Sequence, residues 1–357
     1  MQNDEFYLPT CSLTLSLSLR ARGHLPTCKL ATCHLHTSSS PLRRLLYGLL
    51  FGFLVILAMT LFSDVQQVGE QVRAFRWAYL PVVLALTLFN YLLRGFKFHY
   101  YLRQIGARLP LRESFRLFVA GFPLAVTPGK AGEALKGVWI EQQSGVPAAR
   151  GVSVVVAERI SDGLAVLLLS TLGVIAYPQY WPGFAFVLSI LLGIIIVSQI
   201  RPLAEALLGF GKRLPLVSRF VHHLHEFYEG SFTLFRPQAT LLAVGLGMVS
   251  WLGEGIGFFV VLHGLGLPAD VHTLSIAVFT LAFSTVIGAA SALPGGLGAA
   301  EASIAGMLVL LLDISQETAA AATLLIRFAT LWFGVALGLG TWAFSHHRLG
   351  IRREQNE

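Results

Sequence analysis

From residue 41 to about residue 345 the chain is a succession of long apolar runs parted by short polar breaks. Runs at about 45–62, 77–101, 152–177, 184–200, 239–263 and 318–344 approach the ~20 residues a helix needs to cross a bilayer, and they predict about six full spans. Two further pairs of runs, at about 114–126 with 131–143 and about 273–292 with 297–312, flank breaks rich in proline and glycine. The first break is Thr127-Pro128-Gly129-Lys130-Ala131-Gly132-Glu133, and its arms have only about a dozen residues each. The second is Leu293-Pro294-Gly295-Gly296-Leu297-Gly298-Ala299-Ala300-Glu301. Broken backbone and charge survive at membrane depth only where protein or a water-filled cavity surrounds them. Each pair therefore predicts a re-entrant helical hairpin.

The two halves read as a repeat. Phe75-Arg76 matches Phe235-Arg236, and Ile105-Gly106 matches Leu265-Gly266, both at an offset of 160. Glu133 matches Glu301 and Arg159 matches Arg327 at an offset of 168, so the Glu-to-Arg interval is the same in both copies. Repeats of about 75–177 and 235–344, parted by one unpaired span, run in opposite directions. The predicted fold is thus an all-α polytopic membrane protein of about six full spans plus two re-entrant hairpins in inverted-topology repeats. In transporters so built the substrate site lies at the repeat interface near mid-bilayer.

Composition agrees. Apolar residues make up 55% of the 357 and charged residues only 13%, against about 25% in soluble domains, and mean hydropathy is +0.67. The net charge of +7 follows the positive-inside rule and does not indicate nucleic-acid binding. Arg43, Arg44, Arg103, Arg108, Arg112, Arg116, Arg150, the basic residues of the 201–236 connector, and Arg348, Arg352 and Arg353 fall on one side. Arg73 and Arg76 fall on the other, with Asp64, Glu70, Asp270, Asp313 and Glu317. The expected location is the inner membrane of a prokaryote, with both termini and the 346–357 tail cytoplasmic. Residues 1–40 hold all three cysteines, match no targeting or metal pattern, and read as a disordered or spurious extension.

The chemistry resides in charges within apolar runs. Lys130, Glu133, Arg159, Asp162, Glu301, Arg327, Glu254 and Arg94 are the candidate binding residues, with Pro128, Gly129, Gly132, Pro294, Gly295, Gly296 and Gly298 at the hairpin tips. A charge at the bilayer centre costs ~2.5–3.5 kcal/mol. Two accounts offset that cost: ion pairs Arg159–Glu133 and Arg327–Glu301, or arginines that bind a lipid phosphate bidentately. Arg94 and Glu254 are counterparts at offset 160; Arg94 either bridges to Glu254 or, as slightly favoured, snorkels to the interface with Lys97. Glu133, Glu301, Glu254 and Asp162 are candidates for a coupling proton if buried. His222-His223-Leu224-His225-Glu226 lacks further ligands at a metal-site spacing and reads as an interfacial amphipathic helix. With no P-loop, GxSxG, HExxH or dinucleotide motif in a suitable context, neither an enzyme nor a cofactor is expected.

Three stretches, Pro128-Gly129-Lys130-Ala131-Gly132-Glu133, Ala157-Glu158-Arg159-Ile160-Ser161-Asp162 and Leu293-Pro294-Gly295-Gly296-Leu297-Gly298 through Glu301, resemble a flippase-like transmembrane family represented by the membrane domain of lysylphosphatidylglycerol synthase. The likeness covers about residues 42–345. It implies translocation of a membrane lipid with an anionic or glycosylated headgroup between leaflets. The full synthase adds a soluble aminoacyl-transfer domain, and because this chain ends at Glu357 that activity is not expected. The alternative is a non-transporting membrane partner that binds lipid or an envelope-synthesis enzyme.

Overall fold

A computed structural model describes residues 65–127, 132–176, 181–211 and 220–345. The run at 45–62, the segment 1–40, the tip residues Pro128, Gly129 and Lys130, and the tail 346–357 lie outside the described residues. Every regular element among the described residues is helical. In chain order these are α1 (Val65–Ala74), α2 (Leu80–Gln104), α3 (Leu111–Ala120), α4 (Leu135–Ser144), α5 (Ala148–Ala176), α6 (Trp181–Gln199), α7 (Arg201–Gly211), α8 (Val221–Leu234), α9 (Pro237–Gly264), α10 (Val271–Ala290), α11 (Ala299–Leu312), α12 (Gln316–Arg327) and α13 (Phe333–Ser345). Short 3-10 turns cover Trp77–Tyr79, Phe122–Val126 and Pro294–Gly296, and a π-helical turn, Phe328–Trp332, joins α12 to α13.

Among the described residues, six helices are long and apolar enough to cross a membrane: Trp77–Gln104, Trp181–Gln199, Pro237–Gly264, Val271–Ala290, Pro294–Leu312 and Gln316–Ser345. Four are predicted spans, and Val271–Ala290 and Pro294–Leu312 are the arms of the second hairpin. The predicted span at 152–177 is α5, which has 29 residues but carries Arg150, Glu158, Arg159 and Asp162. The arms of the first hairpin, α3 and α4, have 10 residues each, or about 15 Å at 1.5 Å per residue, half of a hydrocarbon core. In length the two hairpins therefore differ. The most lipid-like surface belongs to α6, where Phe186, Ile190, Ile194, Ile196 and Val197 are exposed.

The repeat is written in the backbone. Both α2 and α9 end in the same cap: Gly106 and Gly266 adopt φ of 87° and 95°, a region open to glycine at little steric cost. Ala107 and Leu267 then donate back to Leu102 and Leu262 at 2.9 and 3.1 Å, closing the helix in a Schellman motif. The next N-caps, Pro110 and Asp270, keep the offset of 160; Asp270 accepts the Thr273 N–H at 2.7 Å. After the breaks, the left-handed caps Gly145 and Asp313 and the starts of α5 and α12, Ala148 and Gln316, keep the offset of 168.

Packing repeats as well, reciprocally. One core cluster joins Phe98, Leu102, Leu117, Ile140 and Ala157 of the first copy to Phe235 and Ala243 of the second. The other joins their counterparts, Phe258, Leu262, Ala277, Leu308 and Leu325, to Phe75 and Val83 of the first. Each copy thus lends equivalent residues to the other's core. Helices α2 and α9 pack extensively, and there the Asn90 amide donates to the carbonyl of Ser250, its counterpart at offset 160, at 3.0 Å.

Candidate functional site: a charged cavity between the two breaks

The second hairpin shows how a break is held. Gly295, Gly296 and Gly298 all have positive φ, and a Cβ on Gly296 would meet the Gly288 backbone at 2.9 Å. Glycine is thus required there by conformation and by space. Glu301, at the third position of α11, reaches back to accept the Gly298 N–H at 2.7 Å, the acidic half of a capping box. Its other oxygen accepts from Arg327 Nε at 2.6 Å, and Arg327 Nη2 donates to the Gly295 carbonyl at 3.2 Å. One arginine therefore ties α12 to both sides of the break.

The first hairpin is held less tightly. Gly132 donates its N–H to the Thr127 hydroxyl at 2.9 Å, and that hydroxyl donates to the Leu124 carbonyl at 2.6 Å. Arg159 meets Glu133 at 3.1 Å, but its side chain is 35% exposed, against 16% for Arg327. The two breaks also touch each other: Val126 and Leu297 pack into one cluster with Val335.

Between the breaks lies a cavity of about 170 Å³. Its wall contains counterpart pairs: Tyr91 with Trp251, Arg94 with Glu254, and Arg159 with Arg327. Glu133, Lys136 and Gly295 complete the polar lining, and Ser284, Thr285 and Thr330 add hydroxyls. Around it each cation is matched. Arg94 lies 3.2 Å from Asp162, and Lys97, with a fully buried side chain, is bonded to the other oxygen of Asp162. Lys136 lies 3.5 Å from Glu158, both almost completely buried, and sits over the rings of Phe98 and Phe118 at 5.6 and 5.5 Å. Arg94 also stacks over Trp251 at 5.5 Å. Pairing of this kind offsets the desolvation that buried charges would otherwise suffer.

Of the predicted binding residues, Glu133, Arg159, Glu254, Arg94 and Arg327 line this cavity, with Gly295. Asp162 stands behind the wall as the partner of Arg94, and Glu301 as the partner of Arg327. Both expected pairs, Arg159–Glu133 and Arg327–Glu301, are formed. Snorkelling of Arg94 and Lys97 is not. Their i, i+3 spacing puts both on one face of α2, and that face turns inward because Asp162 supplies the countercharge. The Arg94–Glu254 bridge is also not formed, since Arg94 is drawn to Asp162. Residue reading missed Lys136 and Glu158 as a pair. The available signal was a lysine three positions after Glu133 and a carboxylate four before Asp162, one helical turn in each case.

Away from the cavity, the predicted amphipathic segment forms the start of α8, with Phe220 and Leu224 exposed. Glu226 pairs with Arg150 at 2.6 Å, which fastens the connector to the beginning of α5.

Two curated relatives align with most of this chain. Both are described as "UPF0104 membrane protein" from Methanothermobacter thermautotrophicus. One is 24% identical over 318 residues, covering 82% of this chain and 91% of the relative. The other is 23% identical over 322 residues, covering 82% and 92%. A family model for the lysylphosphatidylglycerol synthase TM region matches residues 46–338, which contain both hairpins, both Glu–Arg pairs and every residue of the cavity wall. The chain is a multi-pass membrane protein and belongs to the lysylphosphatidylglycerol synthase TM region family.

Proposed function

We propose that the protein moves a lipid with an anionic headgroup between the leaflets of its membrane, and that the headgroup phosphate enters the cavity between the two breaks. The observation that carries this reading is Arg159. It faces the cavity, is the least enclosed of the cavity cations, and meets Glu133 at 3.1 Å, against 2.6 Å between Arg327 and Glu301. A phosphate replacing Glu133 would meet a planar, bidentate donor, with Lys136 beside it.

Size limits what enters. The cavity measures about 170 Å³, and passage of a whole lipid headgroup calls for an opening movement. The touching breaks and the π-turn after Arg327 are where that movement is expected, since π-turns recur at functional sites. In this reading the repeats are inverted across the membrane and the short first hairpin is re-entrant. The basic ends of α2, α3 and α5 face the cytoplasm of a prokaryotic inner membrane. The positive-inside bias and the half-span length of α3 and α4 support that arrangement.

Native mass spectrometry of the protein released from its own membrane tests the site. An anionic lipid is retained by the wild type and lost from a variant carrying Arg159→Gln and Lys136→Gln. Equal retention by both removes the cavity from the account.

A further inference from the structure

Glu254 stands apart from the other carboxylates at the cavity. Glu133 is held by Arg159, Glu158 by Lys136, Asp162 by Arg94 and Lys97, and Glu301 by Arg327. Glu254 is 7% exposed and lines the cavity, yet it has no hydrogen bond or ion pair among the described residues. We infer that Glu254 is a proton-binding site, and that an anionic headgroup and a proton occupy the cavity together. This inference rests on the translocation reading.

Protonation of Glu254 makes the cavity one unit more positive, and an entering monoanionic phosphodiester makes it one unit more negative. Charge without a countercharge is costly at membrane depth, so each occupancy favours the other. The proton comes from water, adds to a carboxylate oxygen of Glu254, and returns to water when the headgroup leaves.

The surroundings fit a proton better than a metal cation. Tyr91 and Arg94 face Glu254 from α2, Asp162 acts on it from α5, and Arg327 from α12. From α10 the polar side chains at the cavity are the hydroxyls of Ser284 and Thr285, beside Leu281 and Ala289. On α9 itself the neighbour is Trp251, and Tyr79 packs on His263 at the far end. A metal cation needs several oxygen ligands, whereas a proton needs a single carboxylate oxygen.

Infrared difference spectra of the purified protein through a pH titration, for the wild type and Glu254→Gln, read the site without any lipid. A carboxylic C=O band that appears on acidification and is missing from Glu254→Gln supports the inference; identical band changes in both overturn it. Translocation of fluorescent phosphatidylglycerol in phosphatidylcholine vesicles gives the second arm. Wild-type rates should fall as pH rises, while the rate of Glu254→Gln, whatever its absolute value, should not vary with pH. An equal fall in both variants overturns the coupling. Absence of movement in the wild type at every pH instead overturns translocation of this lipid class, and the infrared result then decides the proton site alone.

Discussion

Asn90 and Ser250 are each other's counterparts in the two repeats, and the Asn90 amide donates to the Ser250 carbonyl at 3.0 Å. The bond joins α2 to α9 at equivalent positions of the two copies. Interhelical side-chain bonds in membrane proteins contribute about 0.6 kcal/mol on average, with a maximum of ~1.7. Asn90→Ala should therefore lower unfolding free energy in detergent by about 1 kcal/mol. Ser250→Ala leaves the accepting carbonyl in place and should be close to neutral. A larger loss for Ser250→Ala than for Asn90→Ala contradicts the assignment of this bond to the Ser250 carbonyl.

Asp162 is the only carboxylate paired with two cations among the described residues, Arg94 and the fully buried Lys97. Removing one member of a buried charge pair costs about 3–5 kcal/mol, because the other is left without a countercharge. Asp162→Asn should be among the most destabilising single substitutions in the bundle, seen as loss of a monodisperse peak on size-exclusion chromatography at moderate temperature. Adding Lys97→Met should restore part of the loss. If the double variant is worse than the single one, Lys97 is not charged against Asp162.

Gly121 makes room for a lysine. A Cβ placed there would lie 2.0 Å from Cε of Lys136, which lines the cavity. Gly121→Ala should cost about 1–3 kcal/mol by overpacking and weaken retention of anionic lipid by displacing Lys136. Gly193 on α6 has nothing within 4 Å of a built Cβ, so Gly193→Ala should be neutral or raise stability by up to ~1 kcal/mol through helix propensity. Melting temperatures of the two variants read the contrast directly.

Much of this arrangement was legible before any coordinates. Apolar runs located the long helices because a membrane span has few alternatives to helix. The two Glu–Arg pairs were legible because an identical interval recurred in both copies, and each pair is formed. What escaped was chemistry across helices that no repeat marks. Lys136 and Glu158 have Ile304 and Ile326 in the corresponding places, so the repeat gave no second sighting. Lys97 lies near the end of α2, where snorkelling is the common fate of a lysine. Its inward course depends on Asp162, which is far away in sequence but adjacent in space. The arms of the second hairpin are as long as full spans, and its first arm carries the eight residues by which the offsets of 160 and 168 differ.

The central claim is that Arg159 and the cavity around it handle a lipid headgroup in transit. Its most direct test is translocation of fluorescent anionic phospholipid in proteoliposomes, read as the fraction protected from dithionite. Wild-type protein and the charge-conserving variant Arg159→Lys are compared with Arg159→Gln, each first shown to be folded. The account predicts rapid movement for the wild type, a reduced rate for Arg159→Lys because the bidentate fork is lost, and background leakage alone for Arg159→Gln. A folded Arg159→Gln that moves lipid as fast as the wild type contradicts it.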